Sequence, residues 1–174
     1  MKRDAWLRIA LALAVVAIGI AACTSLAPKP GAVSCPAEKQ ALIVVNTITH
    51  TLALCENGHA AGTFTVRLGS NGTGKSREGD GKTPIGRYGL AEPWPSQNFG
   101  TFALVEYPTA EQRSRGFTGS AIGVHGPHRL ERVLGSFVNT FDSTDGCIGI
   151  ATDDEMKRVV DWMGRRGATQ ILIE

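Results

Sequence analysis

The chain has 174 residues, 43% of them hydrophobic, with 18 Lys and Arg against 16 Asp and Glu for a formal net charge of +2. With the first 22 residues set aside, which hold Lys2, Arg3, Arg8 and Asp4, basic and acidic side chains balance at 15 each. That balance gives no basic footprint for a nucleic acid, and the length leaves room for one sizeable domain rather than several.

Residues 1–22 pair the Lys2, Arg3, Arg8 cluster with an apolar run, Ile9 to Ala22, that ends in small residues. This is the pattern of an export signal, and the run is shorter than the ~20 apolar residues of a comfortable membrane span. Ile20-Ala21-Ala22-Cys23 resembles the lipobox of bacterial lipoproteins, which implies lipidation of Cys23 as the first mature residue. The alternative is an ordinary signal cut near Ala22 that leaves Cys23 a plain thiol. Lipidation would hold the protein to a membrane, facing the periplasm, without a spanning helix. Thr24, rather than aspartate, after the cysteine points to the outer membrane. Residues 23–36 carry Pro28, Pro30 and Gly31 without periodicity and read as a tether. Residues 37–174 form the domain. Cys35 and Cys55 flank its first apolar segment; in an oxidising compartment they are a candidate disulfide, although spacing alone does not bring their Cβ atoms together.

Within the domain, Ala41–Asn46, Thr51–Leu54 and Gly62–Leu68 read as three antiparallel strands, with a turn signal at Glu56-Asn57-Gly58. Further extended segments are expected at Arg87–Leu90, Thr101–Tyr107 and Ala121–His125, with a helical turn between Pro108 and Gly119. Thr152 and Glu155 form a capping box, and Asp153 and Asp154 suit the positive end of a helix. Met156, Val159, Val160 and Met163 then give that helix one apolar face, a core face rather than a cofactor site. Gly164 or Gly167 ends it, and Thr169–Ile173 closes the domain as a strand. The domain is therefore mainly β with one long helix.

Gly69-Ser-Asn-Gly-Thr-Gly74-Lys75-Ser76 satisfies the phosphate-loop pattern letter by letter. A phosphate site also needs a helix starting at the lysine. Arg77-Glu-Gly-Asp-Gly-Lys-Thr-Pro84 cannot supply one. The stretch is read as a mobile loop, and no nucleotide is expected.

The chemistry points to Asp142–Ile150. Cys147 follows Gly146, with Thr144 and Asp145 ahead of it, where a turn enters a buried segment. His125 ends a strand before the sharp Gly126-Pro127 turn. An imidazole there can take the thiol proton, and the Gly146 and Cys147 amides can face an oxyanion. Thr144 or Asp145 would orient neighbouring groups. His125 and His128 with Asp145 or Cys147 also allow a zinc site, although the spacing matches no strong zinc pattern. A wall-binding module with a structural cysteine is the other rival. His50 and His59 sit by hairpin turns and read as exposed.

Val124-His125-Gly126, then Asp142-Ser-Thr-Asp-Gly-Cys147-Ile148, resembles the signature of the L,D-transpeptidase catalytic (YkuD-type) domain, and Asp80-Gly81-Lys82-Thr83-Pro84 with Gly86 and Tyr88 resembles that family's Thr-Pro-x-Gly segment. The resemblance runs from Leu42 to Glu174. It implies a β sandwich-like catalytic domain, most like the Asp-x-Thr-Asp-Gly-Cys branch that includes peptidoglycan hydrolases releasing lipoproteins from the wall. It also implies a cysteine acyltransferase acting on peptidoglycan stem peptides without metal or cofactor, and a monomer is expected. In that reading Cys147 is the nucleophile, His125 the general base and acid, and Gly146, Thr144, Asp145 and Gly126 the support. Two positions depart from the common pattern: Asp145, where His or Arg is usual, and Gly149, where Arg or Asn is usual. They leave transpeptidation and hydrolysis both open.

Overall fold

A computed structural model describes residues 33–174. The export signal, Cys23 and residues 23–32 of the tether lie outside these residues.

Among the described residues, nine strands form one hydrogen-bonded sheet: β1 (Leu42–Asn46), β2 (Thr51–Glu56), β3 (His59–Arg67), β4 (Gly86–Gly89), β5 (Trp94–Ser96), β6 (Gly100–Leu104), β7 (Gly123–His125), β8 (Ile148–Ile150) and β9 (Gln170–Ile173). Their order is β4-β9-β1-β2-β3-β8-β7-β6-β5. The pairs β1·β9 and β7·β8 are parallel and the rest antiparallel. The sheet curls on itself, since Leu90, just past β4, bridges to Val105, just past β6. The expected mainly β, sandwich-like architecture is the one observed.

The enclosed face holds the main core. Val66, Leu68, Val124, Ile148 and Ile150 point into it from β3, β7 and β8 and the residue after β3. Helix α2 (Asp153–Arg166) adds Met156, Val159, Trp162 and Met163. Its stop follows the sequence, Gly167 ending it in the left-handed region. Its start does so in half: Thr152 Oγ1 accepts the Glu155 N–H at 3.2 Å, but Glu155 does not complete the capping box, its Oε2 being buried without a partner. Val160 packs only at the margin, and Trp162 takes the fuller place on that face.

On the outer face of β9-β1-β2, Leu42, Val44 and Ala53 make a second small core with Val33. Cys35 and Cys55 are bonded beneath it, with Cα atoms 5.4 Å apart. Along β3 and β7 side chains alternate between faces. Arg67 and His125 thus project from the face opposite the core.

Several elements differ from expectation. β2 runs on to Glu56 and β3 begins at His59, because Asn57 and Gly58, both at positive φ, close a tight hairpin. Strands β6 and β7 are shorter than the apolar runs containing them. The turn after Pro108 is helix α1 (Ala110–Ser114), capped reciprocally by Thr109 and Gln112. The three-residue strands β5 and β8 were not expected. Neither was the 3₁₀ segment Arg132–Thr140, interrupted at Gly135 with φ 53°. The glycine-rich loop, read as mobile, bonds to itself. Asn71 N–H donates to Gly81 O, Gly74 N–H to Thr83 O, and Thr83 N–H to Gly72 O. Lys75 is buried against Asp80, 2.8 Å away. The Asn71, Gly74 and Thr83 amides and the Lys75 ammonium thus already have partners within the loop.

Candidate active site

An open groove of about 710 Å³ runs across the outer face of β7 and β8, and both His125 and Cys147 line it. Their placement follows from register. Val124 pairs with Ile148 and His125 with Gly149 in the parallel β7·β8 ladder. The apolar partners Val124 and Ile148 are fully buried on the core face, which turns His125, Gly149 and the preceding Cys147 toward the groove.

The Cys147 turn is tightly specified. Gly146 has φ +126°, and a Cβ there would strike the Lys82 carbonyl oxygen. Only glycine meets both conditions. Thr144 clamps the turn: its hydroxyl accepts the Gly146 N–H at 3.1 Å and donates to Cys147 O at 2.8 Å. The Thr144 backbone is tied to the end of β3 through Leu68 O and the Ser70 N–H. Asp142 adds a second tie, accepting the Leu68 N–H at 2.8 Å and meeting His50 Nε2 at 2.9 Å. His50 is therefore a half-buried partner rather than the exposed residue expected. His59 is exposed.

Of the four support residues expected, Thr144 does the orienting. Asp145 makes no hydrogen bond among the described residues; its carboxylate acts on Cys147 only through its charge, which raises the thiol pKa. Gly146 shapes the turn, but its N–H is already bonded to Thr144, so of the two amides expected to face an oxyanion only that of Cys147 is left. Gly126 holds the histidine. Its carbonyl lies 2.7 Å from His125 Nδ1, and since a carbonyl only accepts, Nδ1 carries the proton and Nε2 presents a lone pair. Phe99 packs its ring 4.1 Å from the imidazole and Phe102 stacks parallel at 6.0 Å.

Burial sets the protonation states. His125 is 2% exposed. Desolvation drives its pKa down to about 4, with the Arg67 charge assisting and the Gly126 bond and Glu131 opposing. At neutral pH the imidazole is an uncharged base. Burial also pushes the Cys147 thiol up, against a smaller opposing effect from Gly123. The thiol donates to Ala121 O at 3.5 Å. Both shifts favour a neutral imidazole and a neutral thiol in the resting groove.

Two charged groove residues, Arg67 and Glu131, were not singled out by sequence, and Lys75 was singled out only as the lysine of the rejected phosphate-loop pattern. Each needs the register or the loop path to be seen. Among the described residues, no cluster of three His, Cys, Asp or Glu side chains has metal-binding geometry.

Residues 40–173 match the family profile "YkuD: L,D-transpeptidase catalytic domain". The chain belongs to the L,D-transpeptidase catalytic domain family. Among solved structures, this member of the family is similar to Pgp2 from Campylobacter jejuni, a helical cell shape determining protein. The TM-score is 0.64 at 23% identity, with 78% of this chain and 47% of that one covered. It is similar also to Bd1075 from Bdellovibrio bacteriovorus, with TM-score 0.59, 23% identity and coverage of 83% and 52%. This chain thus spans about half the length of these structural relatives, and the likeness shows the shared fold. No curated protein sequence matches it.

Proposed function

We propose that this protein is a cysteine acyltransferase acting on peptidoglycan stem peptides, an L,D-transpeptidase. The observation that carries the reading is the pairing of the one free cysteine among the described residues with a buried imidazole in the same groove. That imidazole is neutral, and its Nδ1 bond fixes Nε2 as the base.

The reaction runs in two halves. His125 Nε2 takes the Cys147 proton as sulfur attacks the carbonyl of the L-centre at an L–D peptide bond. The Cys147 N–H faces the oxyanion. The C–N bond breaks, the proton passes to the leaving amine, and a thioester remains on Cys147. An acceptor amine then gives its proton to Nε2 and attacks the thioester, forming a new amide and restoring the thiol. Glu78 and Asp145, both on the groove, favour an amine over water, since their carboxylates attract an ammonium group. With water as acceptor the same thioester yields the hydrolase reading, an L,D-endopeptidase or amidase. The same proposal places the protein in the periplasm, lipid-anchored through Cys23 to the outer membrane and working as a monomer.

The test is mass spectrometry of muropeptides after incubation of isolated sacculi with the purified protein. New cross-linked species are the expected result. Released peptides without new links would replace transfer by hydrolysis, and no change would remove the proposal.

A further inference from the structure

Four residues form one row across the groove face. Phe102 pairs with His125, His125 with Gly149, and Gly149 with Arg67. Gly149 contributes no side chain to this row, and the space it leaves is occupied. A Cβ there would lie 2.6 Å from Arg67 Nε and 2.8 Å from its Cγ. Arg67 therefore lies flat over Gly149, its charge close enough to His125 to lower the imidazole pKa. It is 4% exposed and lines the groove. Its Nη2 meets Glu131 Oε2 at 2.5 Å, while Nε is buried without a partner. A buried guanidinium with an open donor is costly unless something completes it.

We propose that Arg67 is a binding residue that recognises a carboxylate of the peptide substrate, Gly149 having no side chain so that the guanidinium can reach across the sheet to the reacting groups. The proposal rests on the acyl-transfer reading and specifies its substrate. Arginine suits the task because its planar fork engages a carboxylate with directed donors. The other groove cation does not compete, because Lys75 Nζ is held by Asp80 and by Arg77 O. The neighbouring charges are mixed, with Glu131, Glu78 and Asp145 sharing the groove with Arg67 and Lys75. The site is therefore selective for an anion placed at Arg67 rather than attractive to anions in general. Two sources share this chemistry: the C-terminal carboxylate of the leaving residue, and a side-chain carboxylate of the acyl donor.

Alkylation of Cys147 in the full chain, read by peptide mapping, separates this inference from the reading beneath it. Iodoacetate carries the carboxylate and iodoacetamide does not. Arg67→Gln is expected to lower the iodoacetate-to-iodoacetamide rate ratio about tenfold, with the iodoacetamide rate reporting that the groove is intact. Glu131→Gln keeps Arg67 and removes its counter-charge, so the ratio should rise severalfold. Ratios unchanged in both variants overturn the carboxylate role, and a wild-type Cys147 inert to both reagents overturns acyl transfer with it. Two synthetic stem peptides then distinguish the sources, one amidated at the C-terminus and one at the donor side chain. The amidation that lowers kcat/KM about tenfold in the wild type, but not in Arg67→Gln, names the carboxylate. Equal losses in both proteins would overturn the assignment.

Discussion

In the loop 69–83, the Asn71, Gly74 and Thr83 amides point back at the loop's own carbonyls, and Lys75 is closed against Asp80. In the turn 142–147, which follows the same strand edge, Thr144 and Asp142 bind the backbone as firmly, yet the turn leaves the thiol and amide of Cys147 facing the groove. Both segments are glycine-bearing and polar, and both match a catalytic sequence pattern. What separates them is which groups keep no internal partner. The loop uses its polar groups on itself, whereas the turn holds the Cys147 thiol rigidly without bonding it, its contact going outside the segment to Ala121 O at 3.5 Å, which is the arrangement the proposed acyl transfer requires.

The sharpest way to break this contrast is to remove the open group. Cys147→Ala should abolish turnover of L,D-peptides, whereas Lys75→Met in the loop should leave the chemistry in place and reduce thermal stability instead. Product analysis and a melting curve check the pair. His125→Gln should follow, lowering kcat by about 10²–10⁴ through loss of the general base while the fold persists.

Backbone substitutions sharpen the contrast. Gly146→Ala meets positive φ and the Lys82 carbonyl together, and should cost about 3–5 kcal/mol in denaturant unfolding. Gly74→Ala also meets positive φ, at 82°, but has nothing within 4 Å of the added methyl. It should cost about 1–2 kcal/mol. Equal costs would mean that the two segments are not differently constrained.

A pH effect comes from the buried imidazole. Its pKa is near 4 when folded and 6.5 ordinarily, so between these values the unfolded chain binds more protons. Stability should therefore fall as pH drops from about 6.5 to about 4, by at most about 3 kcal/mol from this residue. The slope should flatten in His125→Gln, and an identical slope in both proteins would show that His125 is not the group responsible.

Much of the contrast was legible in the sequence. Cys147 after Gly146, and His125 before Gly126, declare themselves through glycine placement and strand ends. Helix α2 is marked by its Thr152 cap and apolar stripe. Arg67 was hidden because it is simply a polar position of an alternating strand; only the pairing of Arg67 with Gly149 gives it a role. Strand β8 was missed because Ile148-Gly149-Ile150 is too short for a periodic signal. The usable amide at the turn was also illegible, since it depends on the Thr144 hydroxyl bonding Gly146 rather than leaving it open.

The central claim is that Cys147 carries the acyl group. Intact-protein mass spectrometry after rapid quenching with an L,D-tetrapeptide tests it directly. The wild type should gain the mass of the acyl fragment at Cys147, with Cys147→Ala unchanged. An adduct of the same mass on Cys147→Ala, or turnover by that variant, would contradict it.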